Sequence, residues 1–287
     1  MDLKSGLHVP QELLDQITEH IRHDTHTVLN LCLVSRNFCS SAQSVLYRKI
    51  RVVTSVTYRL SRRDDPGILD VAGCTRFLAT IAALNRHLGT YVHEFHYTPE
   101  NGSRPAKFWE LMNRALYYMS NLRVFAFRNF VSPSKRCLFW GTRFQLEEFY
   151  WDDGYSIDVD GDLVWFLKTQ PQLRVLAAPL GNADIRVPHF PKLQTFIGDG
   201  ESMEHLVRNN SVEKFRWRAS LSDDAIANRE SMRMALSKLR VLSIGSSQTS
   251  SLMPTLALYL QSLEVLHVNY INALHVSDSP CLLLSMA

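Results

Sequence analysis

One apolar pattern recurs from Val92 to the end of the chain and limits the available folds more than any other feature. The unit is an apolar residue, two others, a second apolar residue, one other and a third apolar residue, with Ala178 and Gly198 at the third position of two copies. A period of this length indicates stacked structural repeats. The copies begin 19 to 30 residues apart, at Val92, Leu122, Leu146, Leu173, Leu193, Val212, Leu239 and Leu263.

The pattern predicts a short strand in each copy, because alternation at its last positions directs the apolar side chains to one face. The residues between copies return the chain to the next strand. We expect amphipathic return helices over 107–120, 222–238 and 250–261, since apolar residues recur there at helical spacing.

Residues 92–287 therefore resemble a leucine-rich-repeat solenoid of about eight irregular repeats. They depart from that family where it places an asparagine at the bend after each strand. The equivalent positions include Phe130, Gly154, Gly181 and Ile271. The apolar tail 280–287 leaves two alternatives, since terminal repeats need a polar outer face: it folds back over the last strand, or the chain is shorter than its relatives.

A second feature is the stretch 9–52, whose spacing predicts three short helices. Pro10 suits a first helical turn, Asp24 or Thr25 can cap the second helix, and Ser35 can cap the third. So small a group of helices cannot bury all of its apolar side chains internally. Its surplus apolar surface requires another surface to cover it.

The residues of this stretch resemble an F-box, of the fungal type in particular. The matching elements are Val9-Pro10, Glu12-Leu13-Leu14 with Ile17, Leu33-Val34-Ser35-Arg36 with Phe38, and Leu46-Tyr47-Arg48. The resemblance implies binding to a Skp-type adaptor and, through it, to a cullin. It implies that Pro10, Leu13, Leu14, Ile17, Val34 and Phe38 pack on the adaptor, with Glu12 and Arg36 as a polar rim and Val9 and Ser35 in the same contact.

Residues 53–91 are interpreted as a connecting segment. It has a turn at 64–67 and a helix over 75–88, and we expect Gly89 to end that helix as a left-handed cap.

Residues that alternate with the apolar strand positions are candidates for binding a protein substrate. Tyrosine and arginine are enriched at interface hot spots, which favours Tyr150, Arg216 and Arg218. The other candidates are Asp152, His267, Glu94, His96 and Asn269.

Composition and motifs exclude several other functions. A net charge of +3 over 287 residues does not favour nucleic acid. Five cysteines without a CxxC pair favour a reducing compartment, and no apolar run predicts a signal peptide or a membrane span. The aspartates from Asp158 fail the EF-hand pattern, and the histidines His20, His23 and His26 lack the partners of a zinc site.

The predicted fold class is α/β, with an all-α F-box module at 1–52, a linker helix segment at 53–91 and a leucine-rich-repeat solenoid at 92–287. The predicted function is substrate recognition in a Skp–cullin–F-box ubiquitin ligase, in the cytoplasm or nucleus, without catalysis or cofactor. The alternative is a repeat scaffold outside the ubiquitin pathway, with the N-terminal helices as the cap of the solenoid. No residue identifies the substrate.

Overall fold

The computed structural model describes residues 9–53, 67–98, 105–128, 138–152, 161–178, 190–218, 230–245, 256–269 and 282–285. The chain divides into two compact units, Met1–Phe144 and Gln145–Ala287. The fold is α/β: N-terminal helices precede parallel strands that alternate with helices, an architecture consistent with a leucine-rich-repeat-like solenoid. The fold class predicted from the repeat pattern is confirmed.

The first unit begins with three helices and continues with parallel strands in the order β2-β1-β3-β4. Its helices are α1 (Gln11–His20), α2 (Thr25–Val34), α3 (Arg36–Leu46), α4 (Val71–Ala79) and α5 (Ala106–Tyr118). Its strands are β1 (Lys49–Val52), β2 (Ile68–Leu69), β3 (Glu94–Tyr97) and β4 (Val124–Arg128).

The second unit has strands in the order β5 to β11, all parallel to their recorded partners except the last pair. The strands are β5 (Glu148–Asp152), β6 (Val175–Ala177), β7 (Thr195–Gly198), β8 (Lys214–Trp217), β9 (Val241–Gly245), β10 (Val265–Asn269) and β11 (Leu282–Ser285). The helices are α6 (Gly161–Lys168), α7 (Gly200–Asn209) and α8 (Glu230–Ser237).

Every one of the eight predicted repeat copies contains a strand, from β3 to β10. Their second apolar positions are buried throughout; Phe95, Phe149 and Leu242, for example, have no exposed surface. The tail takes the first of its two alternatives, because β11 pairs antiparallel with β10 and Val268 lies opposite Leu282.

Two further strands were not predicted. β1 lies within the stretch expected to be all helical, and β2 lies within the predicted linker. β1 pairs in parallel with both β2 and β3, so it is an interior strand of the first unit. Tyr47, Ile50 and Val52 have the same spacing as the later copies, and this signal identifies β1 in retrospect.

The predicted helix over 75–88 is wrong in its bounds. Helix α4 ends at Ala79, a π-helical turn covers Thr80–Leu84, and a 3-10 helix covers Arg86–Tyr91. Gly89 lies inside the 3-10 helix and has no positive φ, so it is not a left-handed cap. It is small for another reason: a Cβ there would lie 2.6 Å from the carbonyl oxygen of Tyr118.

Stacked aromatic side chains replace leucine ladders between neighbouring strands. Tyr97 and Phe127 stack with ring centroids 5.5 Å apart in the first unit, and Phe196 and Phe215 stack at 5.7 Å in the second. Each pair also faces its partner in the strand register. Gly198 makes room for this packing, because a Cβ there would lie 2.3 Å from the Phe196 ring.

Buried amide side chains connect neighbouring repeats of the second unit. The Gln170 side-chain oxygen accepts a hydrogen bond from the Leu146 backbone N–H at 2.8 Å. The Asn210 oxygen accepts from the Phe190 N–H at 2.6 Å, and its amide group donates to the Leu206 carbonyl at 2.8 Å. These bonds satisfy buried backbone groups between strands, the need that asparagines meet in regular leucine-rich repeats.

Several predicted features lie outside the described residues. They are the bend positions Phe130, Gly154, Gly181 and Ile271, most of the turn at 64–67, the start of the helix at 222–238, the first half of the helix at 250–261, and the aspartates at 153–160. The end of the 107–120 prediction agrees with α5 to within two residues. In the described part of the chain, no helix has the length and apolar character needed to cross a membrane.

Candidate interaction surfaces

The first candidate surface is formed by apolar side chains that α1 and α2 leave exposed. Val9, Leu13 and Ile17 are spaced by four residues and therefore lie along one side of α1 and its entry. Their exposed fractions are 40%, 48% and 47%. We call these three residues the α1 stripe.

Helix α2 carries a similar group. Leu29 and Leu33, four residues apart, are 51% and 85% exposed, and Val34 is 64% exposed. We call these residues the α2 stripe. Together the two stripes hold half of the exposed large apolar side chains of the described residues; the others are Leu84, Tyr117, Trp140, Trp165, Met234 and Leu258. Such a concentration is typical of a surface that binds a partner.

The helices that carry the stripes are held in place by α3, which contacts both α1 and α2. Ser41 of α3 is buried; it accepts a hydrogen bond from the Gln11 amide at 2.6 Å and donates to the Asp15 carboxylate at 2.6 Å. Thr18 is also buried and donates to the Leu14 carbonyl at 2.8 Å. These contacts use one side of α1, so the α1 stripe on its other side remains uncovered.

Capping residues set the bounds of α2 and α3. The Asp24 carboxylate accepts a hydrogen bond from the Thr27 N–H at 3.1 Å, and it also accepts from the Thr27 hydroxyl. These bonds lower the pKa of Asp24. Ser35 accepts from the Phe38 N–H at 3.2 Å, as the sequence predicts. Ser35 thus fixes the start of α3 directly after the α2 stripe.

The predicted adaptor-binding residues occupy different environments. Leu14 is only 3% exposed, so its side chain is part of the core of the first unit. Phe38 is half-buried. The remaining members are exposed: Val9, Pro10, Glu12, Leu13, Ile17, Val34, Ser35 and Arg36. Leu29 was not among the predicted contacts, and Leu33 was only part of the motif, although both belong to the α2 stripe.

The second candidate surface is the open face of the strands, the side that alternates with the buried side chains. Burial alternates along β8, where Lys214 and Arg216 are exposed and Phe215 and Trp217 are buried. In the second unit the strand register places one row of residues side by side on this open face. The row consists of Tyr150, Ala177, Ile197, Arg216, Ser243 and His267, of which Ala177 is buried although it is in register with the others.

The structure therefore places three of the five predicted substrate-binding residues in one row: Tyr150, Arg216 and His267. The Tyr150 hydroxyl donates to the Glu148 carboxylate at 2.8 Å, and the Nδ1 atom of His267 is buried and has no hydrogen-bond partner among the described residues. The other two lie one step further along their strands. Asp152 ends β5, and Arg218 follows β8, where its N–H donates to the Gly198 carbonyl at 2.7 Å.

In the first unit the open face of β1 and β3 carries a group of interacting charges. Glu94 forms an ion pair with Lys49 and lies 3.3 Å from the Nε2 atom of His96. Burial opposes ionisation of Glu94, but the bonds to Lys49 and His96 outweigh it and lower its pKa. Burial also lowers the pKa of His96, against the opposing effect of Glu94. Lys49 was not predicted as a residue of this face, because β1 was not predicted as a strand.

No metal site is formed by the described residues, where no group of three or more His, Cys, Asp or Glu side chains is close enough to hold an ion. Cys32 and Cys39 are free thiols. Burial raises the pKa of Cys32, and the nearby Cys39 thiol adds to that effect. A raised pKa disfavours the thiolate form that reacts as a nucleophile.

Neither a scan against models of known protein families nor a search of curated proteins finds a match to this chain.

Proposed function

We propose that this chain is the substrate-recognition subunit of a Skp–cullin–F-box ubiquitin ligase. The α1 and α2 stripes bind the Skp-type adaptor, and the open face of the repeat strands binds a protein substrate. The chain performs no chemistry itself. Its contribution is proximity, because holding a substrate near the transferring enzyme raises the effective concentration of the two.

The observation that carries this proposal is the exposure of the two stripes. Fully burying a valine, leucine or isoleucine side chain that was exposed contributes about 1.5–3 kcal/mol. Leaving six such residues in water therefore forgoes a large favourable term, which an adaptor surface would recover. The stripes also contain Val9, Leu13, Ile17 and Val34, the exposed apolar members of the contact that the F-box resemblance implies.

The test is adaptor binding by a matched pair of variants, L33D and L84D. Leu33 and Leu84 are 85% and 83% exposed, so either aspartate should leave the fold intact. Only Leu33 belongs to a stripe. We expect wild type and L84D to form a stable complex with a Skp-type adaptor in size-exclusion chromatography. L33D should lose at least about 2 kcal/mol of binding free energy in titration calorimetry, the scale of an interface hot spot.

The proposal fails if wild type does not bind the adaptor, or if L33D binds as tightly as L84D. Far-ultraviolet circular dichroism of all three proteins separates a lost contact from a lost fold. Leu14 is unsuitable for this test, because a charge at so buried a position disrupts the core itself.

A second candidate is a repeat scaffold outside the ubiquitin pathway, in which the N-terminal helices serve as a cap. The specific observation in its favour is that α3 and the residues after it pack on the rest of the first unit. Tyr47 stacks on Phe77 with centroids 5.9 Å apart, and the Ser40 and Tyr91 hydroxyls lie 3.1 Å apart. A cap explains the buried side of α3 but leaves the stripes unexplained. Absence of adaptor binding by wild type would favour it.

A further inference from the structure

Two cations on β8 stand out from the other charges on the strands. Lys214 and Arg216 are both exposed, and the buried Phe215 and Trp217 alternate with them. Successive side chains of a strand point to opposite faces. Both cations therefore project from the open face, and we call them the β8 cation pair.

Neither member of the β8 cation pair forms a salt bridge or side-chain hydrogen bond among the described residues. Two other cations, one on a strand and one directly before a strand, do have acidic partners. Lys49 pairs with Glu94, and Arg240 forms two hydrogen bonds with Glu264, at 2.8 and 2.9 Å. The Glu264 bonds raise the pKa of Arg240 and lower that of Glu264, as expected for a satisfied pair. Within the described ranges of the chain, the β8 cation pair has no such acidic partner.

The neighbouring strands place no carboxylate beside the pair. Residues that face it in the register are neutral and half-buried: Thr195 and Ile197 on β7, and Val241 and Ser243 on β9. Glu148 of β5 lies three strands away, at about 14 Å for a strand spacing of 4.7–4.9 Å. That distance exceeds the Debye length of about 8 Å at physiological ionic strength. The described neighbouring strands β7 and β9 therefore do not cancel the positive potential of the pair.

We propose that the β8 cation pair binds an extended acidic segment of the protein substrate, with carboxylates on alternate residues. Lys214 and Arg216 are two residues apart, so their Cα atoms are separated by about 6.5–7 Å. Alternate residues of an extended peptide repeat at the same distance, which lets two carboxylates meet the two cations. Binding of an acidic segment does not depend on the proposed function. Only the statement that this segment belongs to a ligase substrate rests on it.

Carboxylates fit this arrangement better than a phosphate group. A phosphate is best held by donors that converge on its oxygens, as in bidentate arginine contacts. The two cations instead stand side by side along a strand and present separate charges. Two carboxylates spaced along an extended peptide therefore match the β8 cation pair.

The test uses the full chain and a fluorescent peptide of alternating glutamate and alanine, with binding followed by anisotropy. K214E/R216E should weaken binding about tenfold or more, because it replaces two attractions by repulsions. The control K168E/K238E changes net charge equally at exposed lysines in the last turn of α6 and just after α8. We expect it to bind like wild type. Salt should weaken binding to wild type, since exposed charges are screened.

The inference is overturned by no binding to wild type, by equal binding of K214E/R216E, or by equal binding of a peptide with glutamine in place of glutamate. Much tighter, pair-dependent binding of a phosphoserine peptide would replace carboxylate by phosphate and also overturn it. Adaptor binding is measured on the same K214E/R216E protein and should be unchanged. Failure of wild type to bind the adaptor would disprove the proposed function but would not affect the peptide result.

Discussion

Helices α1 and α5 of the first unit have similar apolar periodicity but opposite relations to solvent. Helix α5 buries Phe108, Met112 and Leu116 within its own unit, where Phe108 packs on Tyr97 of β3. Helix α1 buries Leu14 and leaves Leu13 and Ile17 about half exposed. The difference shows that an amphipathic pattern indicates a need for cover, and the surrounding structure decides whether the chain itself supplies it.

Apolar residues that stabilise the isolated chain thus differ from apolar residues that would stabilise only a complex. The return helix α5 contributes to the fold of the isolated chain, because its apolar residues are already out of water. The stripes contribute less, because about half or more of the surface of most of their side chains stays in water until something covers it, so substitutions there should affect binding more than unfolding. The following predictions test that distinction.

The largest expected effect comes from truncating α5. Met112→Ala removes a side chain with no exposed surface, and such changes cost about 2–5 kcal/mol of unfolding free energy. Leu13→Ala, at a 48% exposed position, should change it by no more than about 0.5 kcal/mol. Urea denaturation of the two variants measures both values. Equal losses would mean that α1 is covered within the chain alone.

A smaller effect is expected from the buried amide between repeats. Asn210→Ala leaves the buried Phe190 N–H without its acceptor, which costs about 1–3 kcal/mol. Ser41→Ala in the helical module should cost less, about 0.5–1.5 kcal/mol, because its partners Gln11 and Asp15 can turn to water. Denaturant titrations compare the two directly. A larger loss of unfolding free energy for Ser41→Ala than for Asn210→Ala would contradict this ranking.

The smallest effect is a dependence on pH at β1 and β3. His93 and His96 both have pKa values lowered by burial, so the unfolded chain binds protons more readily than the folded one. The free energy of unfolding should therefore fall as the pH falls below about 6.5. The lowered pKa of Glu94 adds a further loss below about 4.5. Melting temperatures at about pH 7.5 and 5.5 measure the histidine contribution.

His96→Gln provides the matched variant for that measurement. It removes one of the two titrating rings, so its melting temperature should fall less than that of wild type between the same two pH values. A decrease as large as in wild type would show that His96 does not contribute.

The sequence predicts the strands β3 to β10 but not β1 and β2. The eight copies from Val92 onward could be predicted because each has a buried apolar side chain at its second position and most have another two residues later, a signal that tertiary structure does not change. β1 was missed because Tyr47, Ile50 and Val52 also fit the end of an F-box. The bounds of α4 were missed because apolar periodicity does not distinguish an α-helix from the π and 3-10 turns that follow it.

The candidate surfaces could be predicted only in part. Leu13 and Leu14 are adjacent apolar residues on α1, and nothing in their types reveals that α3 leaves the first exposed and the rest of the unit buries the second. Tyr150, Arg216 and His267 were each singled out by residue type. Their common row depends on the register of six strands, which pairwise spacing along the chain does not specify.

The short connection between α3 and β1 has a mechanical consequence. Only Tyr47 and Arg48 separate the helix from an interior strand, and Arg48 is also tied to Glu19 of α1 at 3.2 Å. A joint this short and this well connected resists bending and torsion. A partner bound to the helices would therefore keep a constant orientation relative to β1 and β3. Its distance from these strands would be set by the fold and not by a flexible linker.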